Sequence, residues 1–309
     1  MPALSPGPRP GPRHGRRGLL AAFALLPGCA PLLPPLAGGT APEAKALLDA
    51  NAEAHGLPAL RRVNDVNVSY DGEWAPLIGR IQPALVDSGH RGPSQERLLP
   101  GHRLLAQNFT GSAGRKAVLR RWAANAPGTV RVRFEDRDAT EEDRRAAALV
   151  ADGYALFLLG PMLLAGPWAA DRAPLLAPGG EERITVSGRA RDCDILRARI
   201  APGLGFSPAE ELALYIGRAD RLMHRVRFGL EGLESTRGAV AEVDLWDHME
   251  RGGIRWPTRF HERLLRPFPL AVHDWHLTGL DLDRGLTPAD LEGETLSPRA
   301  AAPAGAPLG

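Results

Sequence analysis

His273-Asp274-Trp275-His276 is the one cluster in the chain that invites a metal-site reading. On a regular strand, residues three apart point to opposite faces, so the two imidazoles could share one metal only across a bulge. They read as polar residues flanking Trp275. His224 and His248 read as isolated, half-exposed strand residues, with no positioned partner for general-base work. Gly111-Ser112-Ala113-Gly114 lacks the spacing of a nucleophile elbow. There is no G-x-x-x-x-G-K loop, no G-x-G-x-x-G fingerprint and no C-x-x-C, and His261-Glu262 is not followed by the second His of a metalloprotease helix. The sequence therefore predicts no catalytic residue, no metal site and no cofactor.

The chemistry that the spacing does suggest is covalent and lies near the start. Leu26-Pro27-Gly28-Cys29 resembles a bacterial lipobox, in which a peptidase cuts before a Cys that carries acyl chains. It follows a basic segment with Arg16-Arg17 and a short apolar stretch from Leu19 to Leu26, the order of an export signal. Arg16-Arg17 leaves both the general secretory and the twin-arginine routes open. Cys29 is the expected lipid anchor. Cys193, the only other cysteine, then has no partner and reads as a small buried residue.

Charge narrows the partners. The net charge of +2 includes Arg9, Arg13, Arg16 and Arg17, with no acid before Cys29, so the rest of the chain is slightly acidic. That gives no electrostatic footprint for nucleic acid. Only Lys45 and Lys116 are lysines, and this Arg skew looks like genome composition. With 309 residues, 44% apolar and 24% charged, most of the chain is expected to fold.

One segment demands a structural explanation. "DGYALFLLGPMLLAG", Asp152 to Gly166, is uncharged from Tyr154 to Ala165. A membrane span needs about 18 apolar residues, and Pro161 breaks this shorter run. Thr140 and Asp143 form a capping-box pattern that starts a helix leading into it. A first helix is predicted from Pro42 to His55, stopped by Gly56. Elsewhere strands dominate. Val66, Val68 and Tyr70 alternate with polar residues, and Asp71-Gly72 reads as a turn. Strands are predicted near 95–100, 102–109 and 116–122, and Val130, Val132 and Phe134 share a face of the next. Others are expected at 183–190, 193–201, 240–247, 258–265 and 271–282. Leu212, Leu214 and Ile216 would meet Leu222, Val226 and Phe228 in a hairpin if the loop holds an odd number of residues.

The predicted fold class is α+β: a strongly curved antiparallel β-sheet, a half-barrel, with helices covering its concave face. Residues 1–28 form the export signal, 29–41 a Pro/Gly-rich linker, 42–290 the binding domain and 291–309 a disordered tail.

From Glu43 to Leu282 the order of elements resembles the Lol-type lipoprotein-carrier superfamily of periplasmic half-barrels. The resemblance rests on "AHGLPALRRV" leading into the first strand, "DGYALFLLGPMLLA" between strands, and "LYIGRADRLMHRVRF", "EVDLWDHMERGGIRWPTRF" and "WHLTGLDLDRGLTPADL" completing the sheet. It implies a half-barrel that binds a lipid or other hydrophobic ligand; with the export signal and Cys29, the expectation is a bacterial envelope protein on the periplasmic side, membrane-anchored. The candidate ligand-lining residues are Leu156, Phe157, Leu159, Met162 and Leu163 of the apolar run, with Val132, Phe134, Leu212, Leu214 and Ile216 of the flanking strands. Two other functions stay open: an exported hydrolase with dispersed catalytic residues, and a structural lipoprotein that binds another envelope protein.

Overall fold

A computed structural model describes residues 32–124, 126–166 and 173–292. The export signal, Cys29 and the tail beyond residue 292 lie outside them.

Helix α1 (Pro42–His55) has Pro in its first turn and ends at Gly56, whose φ of 100° is left-handed. A Cβ on Gly56 would lie 2.3 Å from the Gly253 carbonyl oxygen. Glycine is therefore required both by its own backbone and by the hairpin beside it. The short helices α2 (Leu57–Leu60), α3 (Ile78–Ile81) and α4 (Pro83–Val86) carry too few residues to show a period.

Strand β1 (Val66–Trp74) runs through the expected turn at Asp71-Gly72. Gly72 sits opposite Trp275, and an added Cβ would lie 2.5 Å from the Trp275 Cβ. The glycine here makes room for an indole. Strands β2 (Ser94–Leu99), β3 (Leu104–Gly111), β4 (Gly114–Arg121) and β5 (Thr129–Phe134) follow as antiparallel neighbours. Helix α5 (Glu141–Leu159) opens on a complete capping box between Thr140 and Asp143. It stops at Gly160, and α6 (Pro161–Ala165) restarts on Pro161, so the apolar run is two helices meeting at a break.

Strands β6 (Leu175–Val186) and β7 (Arg189–Ile200) turn at Ser187-Gly188, both with positive φ. The expected break at residues 191–192 is thus displaced, because the turn follows the pair able to take left-handed backbone. In the hairpin of β8 (Glu210–Gly217) and β9 (Met223–Gly229), Leu212 faces Phe228 and Leu214 faces Val226. A register shift after Tyr215 then sets Met223, not Leu222, against Ile216. Strand β10 (Val240–Trp246), the small hairpin β11 (Met249–Arg251) and β12 (Ile254–Trp256), β13 (Arg259–Arg266), β14 (Leu270–Leu282) and helix α7 (Pro288–Glu292) complete the chain. The last helix runs past the expected domain boundary at 290.

The described strands form one twelve-stranded antiparallel sheet, ordered β5-β4-β3-β2-β1-β14-β13-β10-β9-β8-β7-β6, plus the β11–β12 ribbon. Its two edges, β5 and β6, do not pair, so the sheet is not closed into a barrel. Helices α5 and α6 carry the chain from one edge to the other. Few helices and an antiparallel sheet make the class α+β. The main apolar core combines α5 and α6 with side chains from β1, β8, β9, β10, β13 and β14.

Candidate functional site

Along α5, Leu149, Val150, Gly153, Tyr154 and Phe157 recur at helical spacing and border a cavity of about 270 Å³. Phe228 of β9, Ala241 of β10, Glu262 and Leu264 of β13 and Val272 of β14 form another wall, and α3 and α4 contribute Ile78, Ile81 and Val86. Ligand pockets run from about 300 to 1,000 Å³, so this one lies just below that range. Its aromatic lining is braced by ring contacts. Phe157 and Phe228 of the lining lie 5.3 Å apart between ring centres, and Tyr154 of the lining lies 5.4 Å from Tyr70 and 5.5 Å from Trp275 behind it. Such pairs add about 0.5–1.5 kcal/mol beyond their burial, which keeps the wall rigid.

Arg91 is the buried cation of the wall, whose other polar residues are Gln82, Ser235, Thr236, Arg237 and Glu262. It is buried, with its guanidinium 4.5 Å from the Trp74 ring centre and 5.6 Å from that of Tyr154. One terminal nitrogen donates to the Leu85 carbonyl oxygen at 2.7 Å and the other to the Tyr154 hydroxyl at 3.3 Å. Two carboxyls near it are held toward their neutral forms. Burial pushes Glu262 up to about 7 and Glu96 up to about 8, against the opposing pull of Arg91. Glu96 also accepts a 2.8 Å hydrogen bond from Gln107. His273 stacks flat between Trp74, at 3.9 Å, and Trp275, at 4.7 Å. Burial, then Arg91, drives its basicity well below the ordinary range.

At the exposed rim, Ile81 and the half-exposed Phe268 lie with Gln82, Ser235 and Arg237. Gln82 and Ser235 exchange two hydrogen bonds across this edge: Gln82 Nε2 donates to the Ser235 carbonyl oxygen at 2.9 Å, and Ser235 Oγ donates to Gln82 Oε1 at 3.2 Å.

The candidate residues from the sequence divide among several environments. Phe157 lines the cavity just described. Leu159, Met162 and Leu163 border a second, more polar cavity of about 430 Å³ beside Arg61, Asn64 and His102. Leu156, Leu212, Leu214 and Ile216 are fully buried in the main core. Val132 and Phe134 belong to a separate small cluster with Phe109 and Ala147. Arg91 and Trp74 carry no sequence signal, Arg91 being one arginine in an Arg-rich chain; Tyr154 belongs to the apolar run but is not among its expected lining residues.

The histidines also differ from expectation. His224 and His248 are not isolated, because their rings lie 5.4 Å apart, and His248 is 5.6 Å from His55. His224 is buried and donates to Asp220, its side-chain partner four residues away, at 2.9 Å. Among the described residues no group of three or more His, Cys, Asp or Glu could hold a metal ion. Cys193 is buried and free, and burial pushes its thiol up to about 11.

No family model and no curated protein matches the sequence. Among solved structures, a DUF1329 family protein from Desulfovibrio piger is 14% identical, with 82% of this chain and 99% of that chain covered at a TM-score of 0.49. A LolA superfamily protein from Nitrosomonas europaea is also 14% identical, with 81% and 98% covered at 0.48. A third, the lipoprotein LppX of Mycobacterium tuberculosis, is 14% identical over 61% of this chain and 90% of that one, at 0.23. Likenesses at this level carry no argument about ligand or activity.

Proposed function

We propose that the protein binds an acyl chain or another hydrophobic ligand in the bacterial envelope, on the periplasmic side, held to a membrane through an acylated Cys29. The observation that carries this reading is the apolar, aromatic-walled cavity between α5 and the sheet, which opens at Ile81 and Phe268.

The same reading includes a half-barrel whose concave face holds α5. Strands β4 and β9 stand seven places apart in the sheet. Laid flat at about 4.8 Å per strand, they would be roughly 34 Å apart. A helix is only about 10–12 Å across. Yet α5 reaches both, through Asp152 to Arg120 on β4 and through Phe157 to Phe228 on β9. Curling the sheet round the helix reconciles these contacts. The break at Gly160-Pro161 then lets α6 take a new direction, and a space is left beside α5 where side chains do not meet.

A Val272→Trp substitution tests the reading. Forcing bulk into a packed core costs about 1–3 kcal/mol, whereas bulk placed in a ligand space meets little resistance. The variant is expected to keep its melting temperature and lose displacement of a fluorescent apolar probe. A large drop in melting temperature, with no probe bound by the parent protein, contradicts it.

A further inference from the structure

Arg91 is a buried cation with an unused donor. It is 6% exposed, and its Nε has no hydrogen-bond partner. Its two terminal nitrogens have only a carbonyl and a phenol as acceptors. Among the described residues no carboxylate forms an ion pair with it, although other buried arginines have one: Arg120 is paired with Asp152, and Arg225 with Asp244. A buried guanidinium without a counter-charge is costly, since hydrogen bonds to neutral acceptors and ring faces recover only part of the lost hydration. The two nearby carboxyls, Glu96 and Glu262, form no ion pair with Arg91, and burial pushes both above the ordinary carboxylate range. Arg91 nonetheless lines a mostly apolar cavity, whose other polar lining residues are Gln82, Ser235, Thr236, Arg237 and Glu262.

Resting on the binding reading above, we infer that the cavity takes a single-chain amphiphile with an oxyanion head, whose head pairs with the Arg91 guanidinium while its chain lies against Phe157, Phe228 and Leu230. A planar guanidinium suits a carboxylate or a phosphate, which it can meet through two donors at once. The bound head would supply the counter-charge that the protein withholds. Trp74, stacked over Arg91, fixes the guanidinium in position.

The test is competition against a neutral fluorescent probe, N-phenylnaphthylamine, at a pH where fatty acids are ionised. Laurate, dodecyl phosphate and dodecanol share one chain and differ only in the head. In the parent protein laurate or dodecyl phosphate is expected to displace the probe at least about tenfold more strongly than dodecanol, the scale of one charge-assisted hydrogen bond. Whichever of the two is stronger identifies the head. Arg91→Gln should abolish the preference and leave dodecanol unchanged, and Arg91→Lys should restore part of it. Equal displacement by all three in the parent, or a preference that survives Arg91→Gln, overturns the inference while probe binding keeps the wider reading. No probe binding by the parent overturns both. If Arg91→Gln does not fold, the comparison of heads in the parent decides alone.

Discussion

Arg120 and Asp152 meet in the interior through a two-pronged ion pair, Nε and Nη2 each 2.8 Å from a carboxylate oxygen. Asp152 also accepts from the Trp122 indole and the Gly205 backbone N–H, both at 2.7 Å. One carboxylate at the head of the apolar run thus ties α5 to β4 and to the loop before β8.

Removing one partner leaves the other charge buried and unpaired. Asp152→Ala is expected to cost about 3–5 kcal/mol, read as a lower denaturant midpoint. The double replacement Arg120→Met with Asp152→Leu should recover much of that loss. A single variant within about 0.5 kcal/mol of the parent would show that the pair is not closed in solution.

Acid should act through the histidine cluster. His55 Nδ1 donates to the Arg255 carbonyl oxygen at 3.1 Å, and Nε2 accepts from the Met223 N–H at 2.9 Å, so only the neutral ring satisfies both. Burial, reinforced by neighbouring His224, holds His55 down at about 4; burial and then His55 hold His248 at about 3. Both values lie below the unfolded 6.5, so their contribution is complete above pH 6.5 and is lost as pH falls toward 4 and 3. His248→Leu should flatten the fall of melting temperature on the acid side. Glu262 has the opposite sign. Its folded value, about 7, lies above the ordinary 4.5, so the folded state loses stability as pH rises through that window, and Glu262→Gln should reduce the loss. Unchanged pH profiles in both variants would contradict these assignments.

Local pattern carried much of this fold. The bounds of α1, the Thr140–Asp143 capping box and the β8–β9 hairpin follow from side-chain spacing within a single segment, and each is found in the structure. Asp71-Gly72 misled because a glycine that makes space for Trp275 is indistinguishable, in sequence, from one that turns the chain. The β6–β7 turn lies at Ser187-Gly188 rather than at residues 191–192, because these two residues take left-handed backbone. The site itself was least legible. Arg91, Tyr154, Phe228 and Val272 come together only when the first and last strands pair, a contact between opposite ends of the chain that no local period encodes.

Cys193 should be chemically silent. It is 1% exposed, and burial pushes its thiol up to about 11. The thiolate is the reactive form, so alkylation by iodoacetamide is expected only after denaturant unfolds the chain. Rapid labelling of the native protein would contradict the burial.

Cys29 lies outside the described residues, and its role is proposed from sequence alone. Cys29→Ala is expected to move the protein from the membrane fraction to the soluble one, because stable anchoring takes two or more lipid signals. A variant that stays membrane-bound in high salt would remove the anchor from the account.

The central claim is that the cavity beside α5 holds a hydrophobic ligand, and a native mass spectrum of the purified protein tests it most directly. The account predicts an added mass from a lipid or amphiphile, acquired from the host or on incubation with laurate, and its absence in Val272→Trp. A parent protein that shows only its own mass after such incubation would contradict it.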